Sequence, residues 1–168
     1  SDLDKTPTSW SADGKWLLYD AVDPNSNTRD LWALRLTPER PGTALKPSPV
    51  LQTPFTEVDA QFSPNGQWIL YTSNESQRTE IYVTPFPPSP SGPGGKQQMS
   101  TGGAAGSSSR WREDGREIFY VGLDRHLMAA EVTSKSGTLG VGAVRSLFAI
   151  NESGPSVFDV TADGQRFL

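Results

Sequence analysis

The stretch Trp10-Ser11-Ala12-Asp13-Gly14-Lys15-Trp16-Leu17-Leu18-Tyr19 returns as Phe62-Ser63-Pro64-Asn65-Gly66-Gln67-Trp68-Ile69-Leu70-Tyr71 and again as Trp111-Arg112-Glu113-Asp114-Gly115-Arg116-Glu117-Ile118-Phe119-Tyr120. A shortened copy follows as Val160-Thr161-Ala162-Asp163-Gly164-Gln165-Arg166-Phe167-Leu168. The shared glycines, Gly14, Gly66, Gly115 and Gly164, stand 52, 49 and 49 residues apart. A period of about 50 residues assembled from short β-type segments is the signature of propeller blades.

Each copy carries the chemistry of a tight hairpin. In Ser63-Pro64-Asn65-Gly66 the serine can bond the turn backbone and the proline presets φ. The glycine accepts positive φ without a Cβ clash, closing the hairpin with a bulge. Asp13-Gly14, Asp114-Gly115 and Asp163-Gly164 repeat that arrangement. Val58 to Phe62 lead in as one strand, and Trp68 to Thr72 lead out as the next. Trp68-Ile69-Leu70-Tyr71 is apolar on both faces, as suits a strand sandwiched between neighbouring sheets.

A third strand follows each pair: Asp30 to Leu36, Glu80 to Thr84, and His126 to Val132. Polar loops precede them at Asp23 to Asn27, Asn74 to Arg78 and Gly122 to Arg125. A weaker, outer fourth strand is expected near Val50-Leu51, Gln97 to Met99 and Ala143 to Phe148. The reading is therefore an all-β chain of four-stranded antiparallel propeller blades, about three and a third of them. The repeats run approximately 8–57, 58–106, 107–156 and a truncated 157–168, within one partial propeller spanning 1–168. The Pro-, Gly- and Ser-rich stretch from Pro85 to Ser109 reads as a long outer-edge loop with a short strand. A linker between domains would have lengthened the interval that crosses it.

The phrases Ser63-Pro64-Asn65-Gly66-Gln67-Trp68, Glu80-Ile81-Tyr82-Val83 and Trp111 to Tyr120 resemble the repeat of the TolB-like (PD40, WD40-like) β-propellers. The order Ile81-Tyr82-Val83-Thr84-Pro85-Phe86-Pro87, Ser100-Thr101-Gly102-Gly103, Arg110-Trp111, Leu127-Met128-Ala129, Leu147-Phe148 and Phe158-Asp159-Val160 resembles the C-terminal propeller of bacterial serine/threonine-kinase-associated and TolB-like proteins. The resemblance implies a propeller attached to other modules and favours a periplasmic or extracytoplasmic setting. Members usually carry six or so blades. This chain stops inside what should be the second strand of a further blade. It is therefore expected to be a fragment of a larger propeller, or to be completed by another copy, because an open ring exposes blade faces and edges.

With 168 residues, 35% hydrophobic, the chain can bury one core. A net charge of −4 argues against a nucleic-acid partner. The absence of cysteine excludes disulfides and thiolate catalysis. No run of about 18 apolar residues offers a membrane span, so no direct membrane insertion is expected.

Individual motifs point to structure more than to chemistry. His126 is the only histidine, and no Gly-x-Ser-x-Gly elbow accompanies it, so a Ser–His–Asp triad is not expected. Asp23-x-Asn25-x-Asn27 opens like a calcium loop, but Thr28 and Leu34 stand where glycine and glutamate are required. Gly94-Gly95-Lys96 lacks the first glycine and the final hydroxyl of a phosphate loop, and Gly137 to Gly142 has the wrong glycine order for a dinucleotide fingerprint; both read as loops. Ser11 to Trp16 departs from the sialidase Asp-box spacing. Glu57, Asp59, Glu113 and Asp114 read as turn carboxylates rather than a glycosidase pair. Asn74-Glu75-Ser76 and Asn151-Glu152-Ser153 are chance glycosylation patterns. Trp10, Phe62 and Trp111, with Tyr19, Tyr71 and Tyr120, are expected to pack between blades, each burying on the order of 150–250 Å².

No catalytic, cofactor-binding or metal-ligating set is expected. The functional expectation is a non-catalytic bacterial propeller segment serving protein interaction, sensing or assembly. Its partner would be a protein, or another copy of the chain that completes the ring. Two alternatives stand beside it: an accessory or gating propeller of a prolyl-peptidase-like hydrolase, and a self-assembling oligomer or filament.

Overall fold

The computed structural model describes residues 4–38, 40, 42–88, 95–135, 138–150 and 158–168. Their regular structure is all strand. The elements are β1 Lys5–Trp10, β2 Trp16–Val22, β3 Arg29–Arg35, β4 Pro47–Leu51, β5 Glu57–Phe62, β6 Trp68–Ser73, β7 Glu80–Pro85, β8 Gln97–Gln98, β9 Ala104–Trp111, β10 Glu117–Gly122, β11 His126–Lys135 and β12 Thr138–Ala149. They form three four-stranded antiparallel meanders, each in sequence order. A further hairpin begins at the C-terminal end with the Val160–Phe167 bridge. The molecule is an open, partial propeller.

The four glycine turns are built alike. Gly66 has φ 70° and its N–H bonds Ser63 O at 2.8 Å; Gly14, Gly115 and Gly164 adopt φ of 68°, 71° and 71°. Ser63 Oγ donates to Asn65 Oδ1 (2.8 Å) and accepts from Trp68 N–H (3.0 Å), locking the register in which β6 leaves the turn. Ser11 with Asp13 and Thr161 with Asp163 repeat this pair of bonds. Arg112 takes the serine's place in the third copy and instead pairs with Glu117 at 2.9 Å.

Strand pleating then sorts side chains between blades. In the second blade Tyr71 pairs with Tyr82 and Leu70 with Val83, on opposite faces. Ile69, Tyr71 and Tyr82 pack with Leu18, Leu31 and Ala33 of the first blade. Trp68, Leu70, Ile81 and Val83 pack with Trp111, Ile118, Tyr120 and Ala130 of the third. All six β6 residues are buried, which explains why its sequence does not alternate. The first strand of each blade lies across the preceding sheet: β5 on β1, β2 and β3, and β9 on β5, β6 and β7.

Two details depart from the sequence reading, at Leu139 with Gly140 and at Trp10, while the stretch after Pro85 follows it. Leu139 and Gly140, expected in a loop within Gly137 to Gly142, belong to β12, a twelve-residue strand paired with β11; period-2 pairing with Thr133 and Ser134 outweighs the glycines' loop preference (Gly137 itself lies outside the described residues). The segment after Pro85 returns to its own sheet, since β8 pairs with β7, so it is an outer-edge loop and strand; 89–94 lie outside the described residues. Trp10, expected between blades, is 63% exposed. Its repeat counterparts Phe62 and Trp111 are each 8% exposed, because a preceding blade lies against them and none lies against Trp10.

Candidate functional site

The carboxylates do not assemble into an acid–base pair. Glu57 heads β5, and the strand runs from it toward the Ser63–Gly66 turn, which shares a groove with Glu113 and Asp114. Five residue steps, about 17 Å along the strand, separate Glu57 from Phe62 at the turn end of β5, so Glu57 and the groove with those two acids lie at opposite ends of the strand. Glycosidase carboxylates stand roughly 5–9.5 Å apart. Glu57 is 1% exposed and accepts from Thr53 Oγ1 at 2.6 Å and Ser73 Oγ at 3.4 Å. Burial, with Asp30 and Glu75 nearby, pushes its carboxyl up to about 7. Asp59 sits at the β5 bulge with φ 56°. Asp114 caps its own turn, accepting from Arg116 N–H and pairing with Arg112 at 3.4 Å.

Sequence reasoning missed the acids that hold one blade to the next. Glu80 opens the third strand of its blade and is 2% exposed. It accepts Gly103 N–H at 2.8 Å and Ser100 Oγ at 2.5 Å, fixing the loop that leads into the next blade. Asp30, at the same place in the first blade, bonds the Thr53 backbone and Gln52. Burial raises its carboxyl. The signal was an acid directly ahead of Leu31-Trp32 and of Ile81-Tyr82. Asp20 adds a second tie: it pairs with Arg29 and accepts the Asp59 backbone, and burial raises its carboxyl despite the guanidinium.

The remaining motifs are engaged in local structure. The His126 ring, 40% exposed, sets Nδ1 3.2 Å from the Asp124 carboxylate beside a loop. Asp23 folds its own loop, accepting Asn25 N–H at 2.9 Å and Ser26 Oγ at 3.0 Å. Lys96 pairs with Glu75 and lies over the Tyr82 ring. Asn74 accepts Thr56 N–H at 2.9 Å, while 151–153 lie outside the described residues. Among the described residues no group of three or more His, Asp or Glu side chains converges as a metal site. No helix among them is long and apolar enough to cross a membrane.

What the fold presents is the outward face of the first blade. Leu17 pairs with Leu34, and Tyr19 with Trp32, so these side chains share the face opposite Leu18, Leu31 and Ala33. Leu17, Trp32 and Leu34 are half-buried, and Tyr19 is buried. Their repeat counterparts on the second and third blades, Ile69 and Ile118 for Leu17, are fully buried under the blade before them. A shallow cavity of about 400 Å³ opens on this face, lined by Lys5, Tyr19, Ala21, Asp30, Trp32 and Gln52 among others. At the other end of the stack, Phe158, Val160 and Phe167 cover Phe119, Val121, Leu127 and Ala129 of the third blade.

These features define an open stack of propeller blades with one bare terminal face. A scan against protein-family models finds no match. A comparison with the curated proteins likewise finds none. Solved structures do match. A protein of Agrobacterium tumefaciens named as a TolB superposes with a TM-score of 0.63 at 16% identity, over 88% of this chain and 50% of that one. TolB of Acinetobacter baumannii gives 0.61 at 19% identity, over 98% and 37%. A Bacteroides uniformis protein named as a 6-phosphogluconolactonase gives 0.58 at 15% identity, over 97% and 46%. The chain thus has a TolB-like β-propeller fold, and it spans half or less of the length of these structures.

Proposed function

We propose that this chain is a non-catalytic segment of a larger bacterial β-propeller and acts through protein contacts. Residues 1–168 are read as a single partial propeller with repeats 8–57, 58–106, 107–156 and 157–168. The observation that carries the reading is Trp10: a large aromatic, 63% exposed, beside an apolar sheet face whose counterparts are covered elsewhere in the chain. Soluble proteins seldom leave such a face bare unless something docks there. The acids that a hydrolase would need are instead spent on turns and blade-to-blade bonds.

Hydrolysis assays test this against the enzymatic alternative. With 6-phosphogluconolactone as probe, the chain is expected to leave the spontaneous rate unchanged. Saturable turnover that scales with protein concentration would overturn the reading.

A further inference from the structure

We infer that the groove at the β3–β4 end of the first blade, floored by Trp16 and rimmed by Arg35, Arg40 and Lys46, is a docking site for an acidic peptide segment of a partner protein, one that sets carboxylates beside an apolar side chain. The inference rests on the proposed reading of the chain as a module that acts through protein contacts, and it names a site and a partner chemistry for that reading.

The loop from β3 to β4 builds the groove. Thr43 bonds the Arg40 carbonyl through its N–H (3.1 Å) and its Oγ1 (2.8 Å), folding the loop back on itself. Leu36 N–H bonds Lys15 O at 2.8 Å and ties the loop to the Gly14 turn. The resulting cavity is about 570 Å³, and Leu45 and Pro47 add apolar wall beside Trp16. That size suits a ligand pocket. Trp16 stands opposite Arg35 in the β2–β3 ladder, and the Arg35 guanidinium lies 6.0 Å from its ring centre. Leu34 pairs with Pro47, so the next step of that ladder sets Arg35 against Lys46. Like charges in that register repel. Among the described residues no acid lines the groove, and Asp13 of the adjoining turn is taken by Lys15 at 3.1 Å. Three cations thus converge without a described counter-charge, in a chain whose net charge is −4.

The third blade shows what would complete such a cluster. There Glu117 holds the place of Trp16 in the repeat and pairs with both Arg112 (2.9 Å) and Arg145. The carboxylate that gathers those cations belongs to the chain. On the first blade the cations gather at an aromatic ring, and the carboxylate has to come from a ligand. Guanidinium groups bind carboxylates through paired N–H donors, and Arg clusters are a recurrent device for reading acidic motifs. An apolar side chain of the same segment would cover Trp16 and Leu45, the latter 40% exposed. Pro47 and Pro49 in β4 have no N–H to offer an added strand, so the segment is read by side chains. A nucleic acid does not suit the groove, because three cations neutralise few phosphates and the rest of an acidic chain repels them.

Titration of the 168-residue chain with acetyl-Glu-Glu-Leu-Glu-Glu-Leu-amide, followed by NMR at the Trp16 indole N–H, tests the inference. The same peptide with glutamine for glutamate, and inorganic phosphate, are the parallel probes. The inference expects a saturable Trp16 shift with the acidic peptide and none with the glutamine peptide. Affinity should fall about tenfold between about 50 and about 500 mM salt, and phosphate should bind at least tenfold more weakly than the acidic peptide. Arg35→Gln combined with Lys46→Gln should weaken binding at least tenfold, whereas Arg116→Gln, on the third blade's turn, should leave it within twofold. Glu39 of the same loop lies outside the described residues, and Glu39→Gln should also leave affinity within twofold. No Trp16 shift, equal shifts with the two peptides, or phosphate binding as tight as the acidic peptide would overturn the inference. Tenfold tighter binding by Glu39→Gln would overturn it too, by giving the groove to the chain's own acid. Each of these results leaves the non-catalytic interaction reading standing, whereas lactone turnover would sink that reading.

Discussion

Thr53 Oγ1 donates a 2.6 Å hydrogen bond to Glu57 Oε1, and the other oxygen of that buried carboxylate has no hydrogen-bond partner among the described residues. An uncompensated acid oxygen in a blade interface favours the protonated form. Glu57 titrates near 7 in the folded chain, against an ordinary value of 4.5. The folded state therefore holds its proton longer than the unfolded state does. The carboxyl costs no stability below about pH 4.5, and its cost grows as pH rises to 7. Above that it reaches about 3 kcal/mol. Asp20 and Asp30 shift in the same direction. Glu57→Gln is expected to leave the melting temperature near pH 4.5 almost unchanged and to raise it at pH 8. Urea titrations of both proteins across that window check this, and parallel pH profiles would contradict it.

The two tryptophans of the repeat position should respond very differently to truncation. Trp111 is 8% exposed in the interface of the second and third blades, so Trp111→Ala is expected to cost roughly 3–5 kcal/mol. Trp10→Ala in the 168-residue chain should cost less than about 1 kcal/mol. Equilibrium unfolding of the pair, compared at one pH, decides it. Equal costs would mean that the first blade is covered in solution.

Two glycines separate conformational from steric cost. Gly66 has φ 70° and open space around a notional Cβ, so Gly66→Ala should cost only the left-handed backbone, about 1–2 kcal/mol. Gly103 has φ 94°, and a Cβ there would come within 2.8 Å of Leu123 Cγ. Its N–H also bonds Glu80. Gly103→Ala should be the costlier by at least about 1 kcal/mol. Similar midpoints for the two variants would contradict the packing at Leu123.

The acid that opens the third strand is expected to matter as structure. Glu80→Ala strands the Gly103 N–H and the Ser100 hydroxyl in a buried loop, at a cost of about 2–4 kcal/mol. Glu80→Gln keeps one acceptor for Gly103 and should recover part of that loss. Thermal melts of both variants measure the difference, and a glutamine variant as unstable as the alanine one would contradict the assigned acceptor role.

Much of the fold was legible because the repeat encodes it locally. In three of the four turns the serine or threonine, the Asp or Asn and the glycine specify a hairpin through their own hydrogen bonds, with no help from distant residues. Trp68 to Tyr71 announced burial on both faces by composition alone. Trp10 was misread because burial is not a property of the repeat unit. It comes from the neighbour, and the first blade has none on that side. The β11–β12 pairing hid behind Gly140 and Gly142, whose turn preference is overruled by a long antiparallel ladder. Glu57 reads as a solvated turn charge, and Asp30 and Glu80 read only as the heads of third strands, because the partners that bury all three come from other strands and loops.

Amide hydrogen exchange across the 168-residue chain tests the central claim, a stack of blades covered at one end and bare at the other, most directly. Tyr71 and Tyr120 sit under neighbouring blades, at 0% and 2% exposure. The account predicts that β6 and β10 exchange slowest, near the global unfolding limit. It predicts that β1 exchanges far faster than β5 and β9, although all three open their blades. Uniform protection of β1, β5 and β9 would contradict the open stack.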